Sequence, residues 1–203
     1  MNPIRPTNVE ASTRSELCAL SDDYPRHLGG YLDLLSRHFG DQAWRRDEIE
    51  AWPAGVRRGV RLALRGGVVV GAATFLPVDA ASYRALRAGR DDRMIEVVDR
   101  SRHWYWSGLT YQTARPGTGP VALAARGLLY AAELPHDGPT ALSDRTVIAQ
   151  VRNERAASIC LGLGFRAISP DRDGQSVIYE WRGFKDTTQA TRVRRYAARY
   201  RDV

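Results

Sequence analysis

Two short segments of the sequence carry residues whose types and spacing suit chemistry. In the first, Gly117 and Gly119 follow an aromatic, strand-like run and precede a predicted helix that begins near Val121. A glycine-rich turn that leads into a helix presents several backbone N–H groups to an anion such as a phosphate. In the second, Asn153 precedes a predicted helix, and its side-chain oxygen can accept a hydrogen bond from an orphan backbone N–H group there. Cys160 follows on the same helix.

The second segment is positioned by a predicted strand, helix and second strand. Residues 147–151 are a short apolar run of strand length that is partly β-branched. Apolar residues then recur at near-helical spacing as far as Leu163, and Gly162 and Gly164, which tolerate the left-handed conformation, are expected to end the helix. Phe165 opens the next apolar run.

This unit resembles the second conserved motif of the GNAT superfamily, the acyl-CoA-dependent N-acyltransferases. The family pattern is an asparagine, a small residue three positions later, a tyrosine seven positions later, and then Leu-Gly-Phe. The matching residues are Asn153, Ala156, Leu163, Gly164 and Phe165. Cys160 occupies the position of the tyrosine, which in the family usually protonates the leaving sulfur. Two interpretations follow: Cys160 donates that proton weakly, or it is a small buried residue and the thiolate leaves with help from solvent. The second is favoured.

The glycine-rich turn resembles the pyrophosphate signature of the same family: Gln or Arg, two residues, Gly, one residue, then Gly or Ala. Gly117 and Gly119 match, whereas Arg115 lies one position late and Ala114 occupies the expected place. The resemblance implies that acetyl-CoA is the cosubstrate, with its pyrophosphate on this turn and its pantetheine arm facing Asn153. It also implies that a backbone N–H of the fourth strand, near Leu109 to Tyr111, donates to the thioester carbonyl. The cofactor-binding residues it implies are Leu109, Tyr111, Arg115, Gly117, Thr118, Gly119, Val121 and Asn153.

A general base for the attacking amine is expected on or near the fourth strand, where the bases of the family often lie. The candidates are Glu96, Asp99, His103, Tyr105 and Tyr111, and Glu96 and Tyr105 rank first. The predicted catalytic residues are therefore Glu96, Tyr105 and Cys160. The four histidines and two cysteines are not clustered with ligand spacing, so we expect no metal.

The other elements follow the order of the GNAT fold from about residue 4 to residue 181. The sequence predicts a first strand at residues 4–7, a helix that includes Leu17, Cys18 and Leu20, helices over residues 28–39 and 44–52, a hairpin across Gly66 and Gly67, one or two short helices within residues 77–103, a strand over residues 104–111, and a closing hairpin over residues 165–181. Strict alternation along the fourth strand puts Trp104, Trp106, Gly108 and Thr110 on one face. We therefore expect an α/β (α+β) fold with a central mixed, mostly antiparallel sheet of six or seven strands flanked by helices.

Charge separates residues 1–185, the predicted acyltransferase domain, from residues 186–203, a predicted basic helix. The chain has 203 residues and a formal net charge of +7, and residues 182–203 alone hold seven basic and two acidic side chains. The favoured interpretation is a terminal helix docked on the domain. A homodimer contact ranks second, and an arm that binds RNA or an acidic partner ranks third.

Size and hydropathy limit the function classes. The length fits one domain, no apolar run approaches the ~18 residues of a membrane span, and the first ten residues lack an apolar signal core, so we expect a cytoplasmic protein. The predicted function is an N-acetyltransferase that moves the acetyl group of acetyl-CoA to a primary amine of a small molecule, amino acid derivative or peptide by direct attack. The alternatives are a non-catalytic acyl-CoA-binding or interaction module, and an acyltransferase acting on an aminoacyl-tRNA.

Overall fold

The computed structural model describes residues 16–90, 95–112, 119–133, 145–170 and 174–198. The strands in these ranges are β1 (Glu16–Ala19), β2 (Val60–Arg65), β3 (Val68–Val78), β4 (His103–Tyr111), β5 (Thr146–Val151), β6 (Arg166–Pro170) and β7 (Val177–Arg182). They form one sheet in the order β1-β2-β3-β4-β5-β7-β6, with β4 and β5 parallel and every other pair antiparallel. The predicted mixed, mostly antiparallel sheet is confirmed.

Helices cover both faces of this sheet. They are α1 (Tyr24–Phe39), α2 (Arg46–Ala51), α3 (Ala54–Arg57), α4 (Ala80–Arg87), α5 (Gly119–Glu133), α6 (Glu154–Leu163) and α7 (Thr187–Ala197), with a 3₁₀ turn at Gly40–Gln42. The core under α5, α6 and α7 holds Trp104, Trp106 and Trp181, and we call this side of the sheet the α5 face. The opposite side, the α1 face, is covered by α1 and α2 over β2 and β3 and by α4 over Tyr105 and Ile148.

The first described strand corrects one prediction. Leu17, Cys18 and Leu20 were expected in a helix, but Glu16–Ala19 pair with β2 in an antiparallel ladder. Burial there alternates with a period of two, since Leu17 and Ala19 are buried and their neighbours are half-buried. A short apolar run does not distinguish the two periods in sequence. The strand predicted at residues 4–7 lies outside the described residues.

The hairpin and the two motif helices are confirmed. Gly66 and Gly67 join β2 to β3 with φ of 56° and 76°, values that glycine adopts without steric cost. Asn153 caps α6, its side chain accepting from the Ala156 N–H at 2.9 Å. Gly164 ends that helix with φ of 94°. Gly162 was expected to end the helix as well, but it lies within the last turn.

A β-bulge in β4 corrects the predicted alternation. Thr74 pairs with Gly108 and Phe75 pairs with Trp106, so Ser107 is an extra residue on β4. Leu109 packs on the α5 face together with Trp104 and Trp106. Before the bulge that face takes even-numbered residues of β4, and after it the odd-numbered ones.

The α7 helix is docked on the α5 face. Val193 and Ala197 are buried in the core there, and Gln189 donates from its side chain to the Leu163 carbonyl at 3.3 Å at the end of α6. Asp186 caps α7 by accepting from the Gln189 N–H at 2.7 Å. Among the described helices, none combines the length and apolar character that crossing a membrane requires.

Candidate active site

A cleft of about 780 Å³ opens where β4 and β5 separate. The two parallel strands pair from His103–Thr146 as far as Trp106–Ala149. Beyond that pair, one wall of the cleft is formed by Ser107–Leu109 of β4. The opposite wall is formed by residues 150–153, at the end of β5 and directly after it. A ligand can therefore reach strand edges that would otherwise be covered by the neighbouring strand.

The edge of β4 presents a hydrogen-bond donor to this cleft. The Gln112 N–H donates to the Val70 carbonyl on β3 at 2.7 Å. Because successive N–H groups of a strand point alternately to its two sides, the Leu109 N–H points away from β3 and toward the side from which β5 has departed. Leu109 lines the cleft. A ligand arm with amide groups, such as pantetheine, fits such an edge because it can pair with it as an added strand would.

The wall on the α5 face is formed by α6. Asn153, Ala156 and Cys160 all line the cleft. Cys160 is fully buried, and burial raises the pKa of its thiol to about 12. The thiol is therefore neutral at physiological pH and is a poor proton donor to a departing thiolate, whose ordinary pKa is near ~8.5.

The wall on the α1 face is formed by the end of α1 and the turn that follows it. A methyl group added at Gly108 would lie 3.2 Å from the Phe39 ring, so this ring closes over the bulged part of β4. The Trp44 ring nitrogen donates to the Ser107 hydroxyl at 3.3 Å. Phe39 and Trp44 thus form an aromatic cover over the point where the two strands separate.

Polar groups from three elements surround the mouth on the α1 face. Arg152 donates to the Gln42 side chain at 3.1 Å, which connects the end of β5 to the 3₁₀ turn across the cleft. Gln150 donates to the Arg90 carbonyl at 3.1 Å, and this contact brings the segment after α4 to the rim. The charged residues that line the cleft are Asp41, Arg45, Glu48, Arg90 and Arg152.

His38 lines the same mouth, although the sequence did not point to it. It lies on the cleft side of α1 with Leu35 and Phe39, is exposed, and its Nδ1 lies 2.9 Å from the Leu34 carbonyl. The i, i+3, i+4 spacing of these three residues was visible in the sequence as a helical face. What that pattern did not reveal was that this part of the face turns to the β4–β5 gap.

The structure separates the three predicted catalytic residues. Tyr105 is buried under α4 and also lines the cleft, and Cys160 lies on the opposite wall. Glu96 is exposed, lies outside the cleft lining, and its backbone pairs with the start of α4 through the Asp79 N–H. A base at Glu96 would have to act from outside the cleft, so the geometry gives it no such role.

Five of the predicted cofactor-binding residues are described by the structure, and they fall into two groups. Leu109 and Asn153 line the cleft, while Gly119 begins α5 and is buried. The Tyr111 ring lies over Gly119 and Gly71, where an added methyl group would overlap it, so Tyr111 positions the start of α5 against β4. Val121 packs beside it at the edge of the core. Arg115, Gly117 and Thr118 lie outside the described residues.

Two other candidates for the general base, His103 and Asp99, lie outside the cleft lining. His103 sits at the closed end of the β4–β5 pair, with Nδ1 2.7 Å from the Thr146 hydroxyl and its ring stacked on Tyr83 at 4.2 Å. Burial, followed by nearby Arg102, lowers its pKa. Asp99 is exposed and lies outside the cleft lining. Within the described ranges, no three His, Cys, Asp or Glu side chains gather as a metal site would require.

Comparisons with known proteins agree with this geometry at the level of the fold. No protein-family model matches the chain, and no curated protein matches it in sequence. Among solved structures, the GphF GNAT-like decarboxylase in complex with isobutyryl-CoA is 20% identical, with a TM-score of 0.59 over 83% of this chain and 98% of that one. The loading GNATL domain of CurA from Lyngbya majuscula is 12% identical, with a TM-score of 0.57 over 83% and 97%. Ard1 from Thermoplasma volcanium is 13% identical, with a TM-score of 0.56 over 84% and 99%. The chain therefore has the GNAT fold, as its motifs predicted.

Proposed function

We propose that this protein is an acetyl-CoA-dependent N-acetyltransferase that acts on a primary amine of a small molecule, amino acid derivative or peptide. The observation that carries the proposal is the separation of β4 from β5 after Trp106–Ala149, which directs the Leu109 N–H into a cleft large enough for an acyl-pantetheine arm. The cleft passes through the sheet, with Asn153 and Cys160 toward one face and His38 and Gln150 toward the other. An acyl donor and an amine can therefore meet from opposite faces.

The residues of the chain supply positioning and a hydrogen-bond donor. The Leu109 N–H is directed to where a thioester carbonyl would accept it as negative charge builds on the oxygen. Phe39 and Trp44 line the same point on the α1 face. Holding donor and amine together in this geometry lowers the barrier because it removes the entropy cost of a bimolecular encounter. The neutral, buried Cys160 packs against the sulfur side, and the departing thiolate takes its proton from solvent.

Calorimetric titration with acetyl-CoA tests the proposal. Ala156→Phe places an aromatic ring in the cleft, and we expect it to weaken acetyl-CoA binding by at least about a hundredfold. Ser158→Phe adds the same ring to the exposed side of the same helix and serves as the matched control, with affinity unchanged. Acetyl-CoA that fails to bind the wild type at millimolar concentration, or that binds both variants equally well, would contradict the proposed site.

One observation favours a second candidate, an acyl-CoA-binding module without turnover. Cys160 stands where the family has its proton-donating tyrosine, and the raised pKa of its thiol makes it unsuited to that role. Release of free thiol from acetyl-CoA in the presence of primary amines separates the two candidates. Binding without amine-dependent thiol release would favour the module.

A further inference from the structure

We propose that His38 is the general base of the acyl transfer, the group that takes the proton from the attacking amine. This inference rests on the proposed function and assigns its missing proton acceptor. Neither Glu96 nor Asp99 lies in the cleft, and His103 lies at the closed end of the strand pair, so none of the three can touch an amine there. Tyr105 lines the cleft, but its side chain is buried under α4, and the Tyr111 ring packs over Gly119 at the start of α5.

The contact of His38 with its own helix defines the tautomer. Nδ1 lies 2.9 Å from the Leu34 carbonyl oxygen, and a carbonyl oxygen can only accept a hydrogen bond. Nδ1 therefore carries the proton, and in the neutral ring Nε2 holds the lone pair. The exposed ring presents that nitrogen as a proton acceptor at the mouth of the cleft.

His38 lines the same cleft as the reacting region, on its α1 side. His38 and Phe39 are consecutive on the cleft side of α1, and the Phe39 ring covers Gly108 at the bulge. The Leu109 N–H, the proposed donor to the thioester carbonyl, belongs to the next residue of that strand. His38 thus approaches from the α1 face, the side opposite Asn153 and Cys160, where the amine would enter.

The other proton acceptors of the cleft are less suited to the task. Glu48 accepts from the Arg45 N–H at 2.6 Å, and the Arg45 side chain lies 3.8 Å from the same carboxylate, so its charge is already paired. The charged groups that line the cleft with His38 are Asp41, Arg45, Glu48, Arg90 and Arg152.

The proton balance of the step is simple. The ammonium form of the acceptor gives one proton to His38 Nε2, the N–C bond forms at the thioester carbon, and the C–S bond breaks. The second proton leaves the amide nitrogen to solvent, and the thiolate takes one proton from solvent. One proton is released overall, and the imidazolium returns its proton to water.

The test measures thiol release from acetyl-CoA with benzylamine, glycinamide and spermidine, and with hydroxylamine, which is already neutral at pH 7. General-base catalysis contributes roughly 10²–10⁴ in rate, so we expect His38→Ala to lower kcat/KM for the three amines at pH 7 by at least about a hundredfold. The loss with hydroxylamine should be much smaller. Added imidazole should restore part of the rate of His38→Ala and leave the wild-type rate unchanged.

Controls separate this inference from the function beneath it. Arg37→Ala, an exposed neighbour outside the cleft lining, should keep full activity, and His38→Ala should keep its affinity for acetyl-CoA. A wild type that turns over amines while His38→Ala stays within threefold overturns the role of His38 alone. A wild type that binds acetyl-CoA but acetylates none of these nucleophiles overturns the acetyltransferase function, and the inference with it.

Discussion

Both ends of the β4–β5 pair carry ionisable side chains. At the closed end these side chains are hydrogen-bonded to other side chains, whereas at the open end they surround a cleft. At the closed end, Glu180 on β7 accepts hydrogen bonds from Tyr83, from Arg87 at 3.0 Å and from Arg182 at 2.6 Å. His103 is bonded to Thr146 in the same region. At the open end, His38 and the side chains around it surround a space of about 780 Å³.

The difference teaches where to look for chemistry in this molecule. Burial alone would suggest a functional site at the closed end, because Glu180 is only 7% exposed and a buried carboxylate is often functional. Its oxygens, however, are used to hold α4 on the sheet. The closed end therefore contributes stability, while the open end offers donors and acceptors to a ligand.

The largest effect is expected from breaking the closed end with Glu180→Gln. Removing the charge leaves two guanidinium groups without their carboxylate, which costs 3–5 kcal/mol when all partners are buried. Since the side chains of Arg87 and Arg182 are 47% and 60% exposed, we expect about 2 kcal/mol in the free energy of unfolding. Urea denaturation measures it. The control is Glu133→Gln, which removes an exposed ion pair with Arg194 and should lower the free energy of unfolding by less than about 0.5 kcal/mol. Equal losses in the two variants would show that the ion pairs of Glu180 contribute no more stability than an exposed pair.

Acid should remove the same contribution from the wild type. Burial by itself would raise the pKa of Glu180, but the hydrogen bonds from Arg182, Tyr83 and Arg87 hold it below its ordinary value. A carboxyl whose pKa is lower in the folded state stabilises the fold above about pH 4.5, and that stabilisation is lost as the pH falls further. The difference in unfolding free energy between wild type and Glu180→Gln should therefore shrink between pH 6 and pH 3. A constant difference over this range would mean that the pKa of Glu180 is the same in the folded and unfolded states.

A smaller effect is expected from Cys160→Ala at the open end. We expect kcat to stay within about threefold, because the raised pKa of the thiol makes it a poor acid, and the free energy of unfolding to fall by about 1 kcal/mol for the lost packing. Thiol release from acetyl-CoA and urea denaturation give both numbers. A hundredfold loss of kcat with intact acetyl-CoA binding would instead identify Cys160 as the proton donor.

The smallest effect is expected from Trp44→Phe. The variant loses the 3.3 Å hydrogen bond from the Trp44 ring nitrogen to Ser107. It keeps an aromatic ring beside Trp52, whose ring centroid lies 5.3 Å from that of Trp44 in the wild type. We expect less than about 1 kcal/mol in unfolding free energy and at most a threefold rise in KM for the amine. A large loss of stability would mean that the open end is held together by its polar contacts as the closed end is.

Most of the fold was predictable because its signals are local. The Gly66-Gly67 turn, the Asn153 cap and the Gly164 helix end each depend on the conformation of one or two residues, and each was found where the sequence placed it. The failure at Leu17 has the opposite cause. Four residues cannot distinguish a period of 2 from one of 3.6, and pairing with β2 decided the outcome.

The candidate site was less predictable because it depends on contacts distant in sequence. Leu109 and Asn153 were expected from the resemblance to the family, but no local pattern in the sequence places His38 and Gln150 on the same cleft, which both line. Glu96 was chosen for its position before β4, and no local pattern shows that its segment pairs with the start of α4 instead. The Ser107 bulge was equally hidden, since one extra residue leaves no mark in an aromatic run.

The bulge also has a consequence for the exchange of backbone amides with solvent. Beyond Ser107, the Gln112 N–H is bonded to Val70 on β3, while the Leu109 N–H points toward the cleft. Deuterium should therefore enter Leu109 quickly and Gln112 slowly, although both belong to one well-packed stretch of backbone. A bound thioester would slow the first and leave the second unchanged, so one amide proton of this strand records whether the cleft is filled.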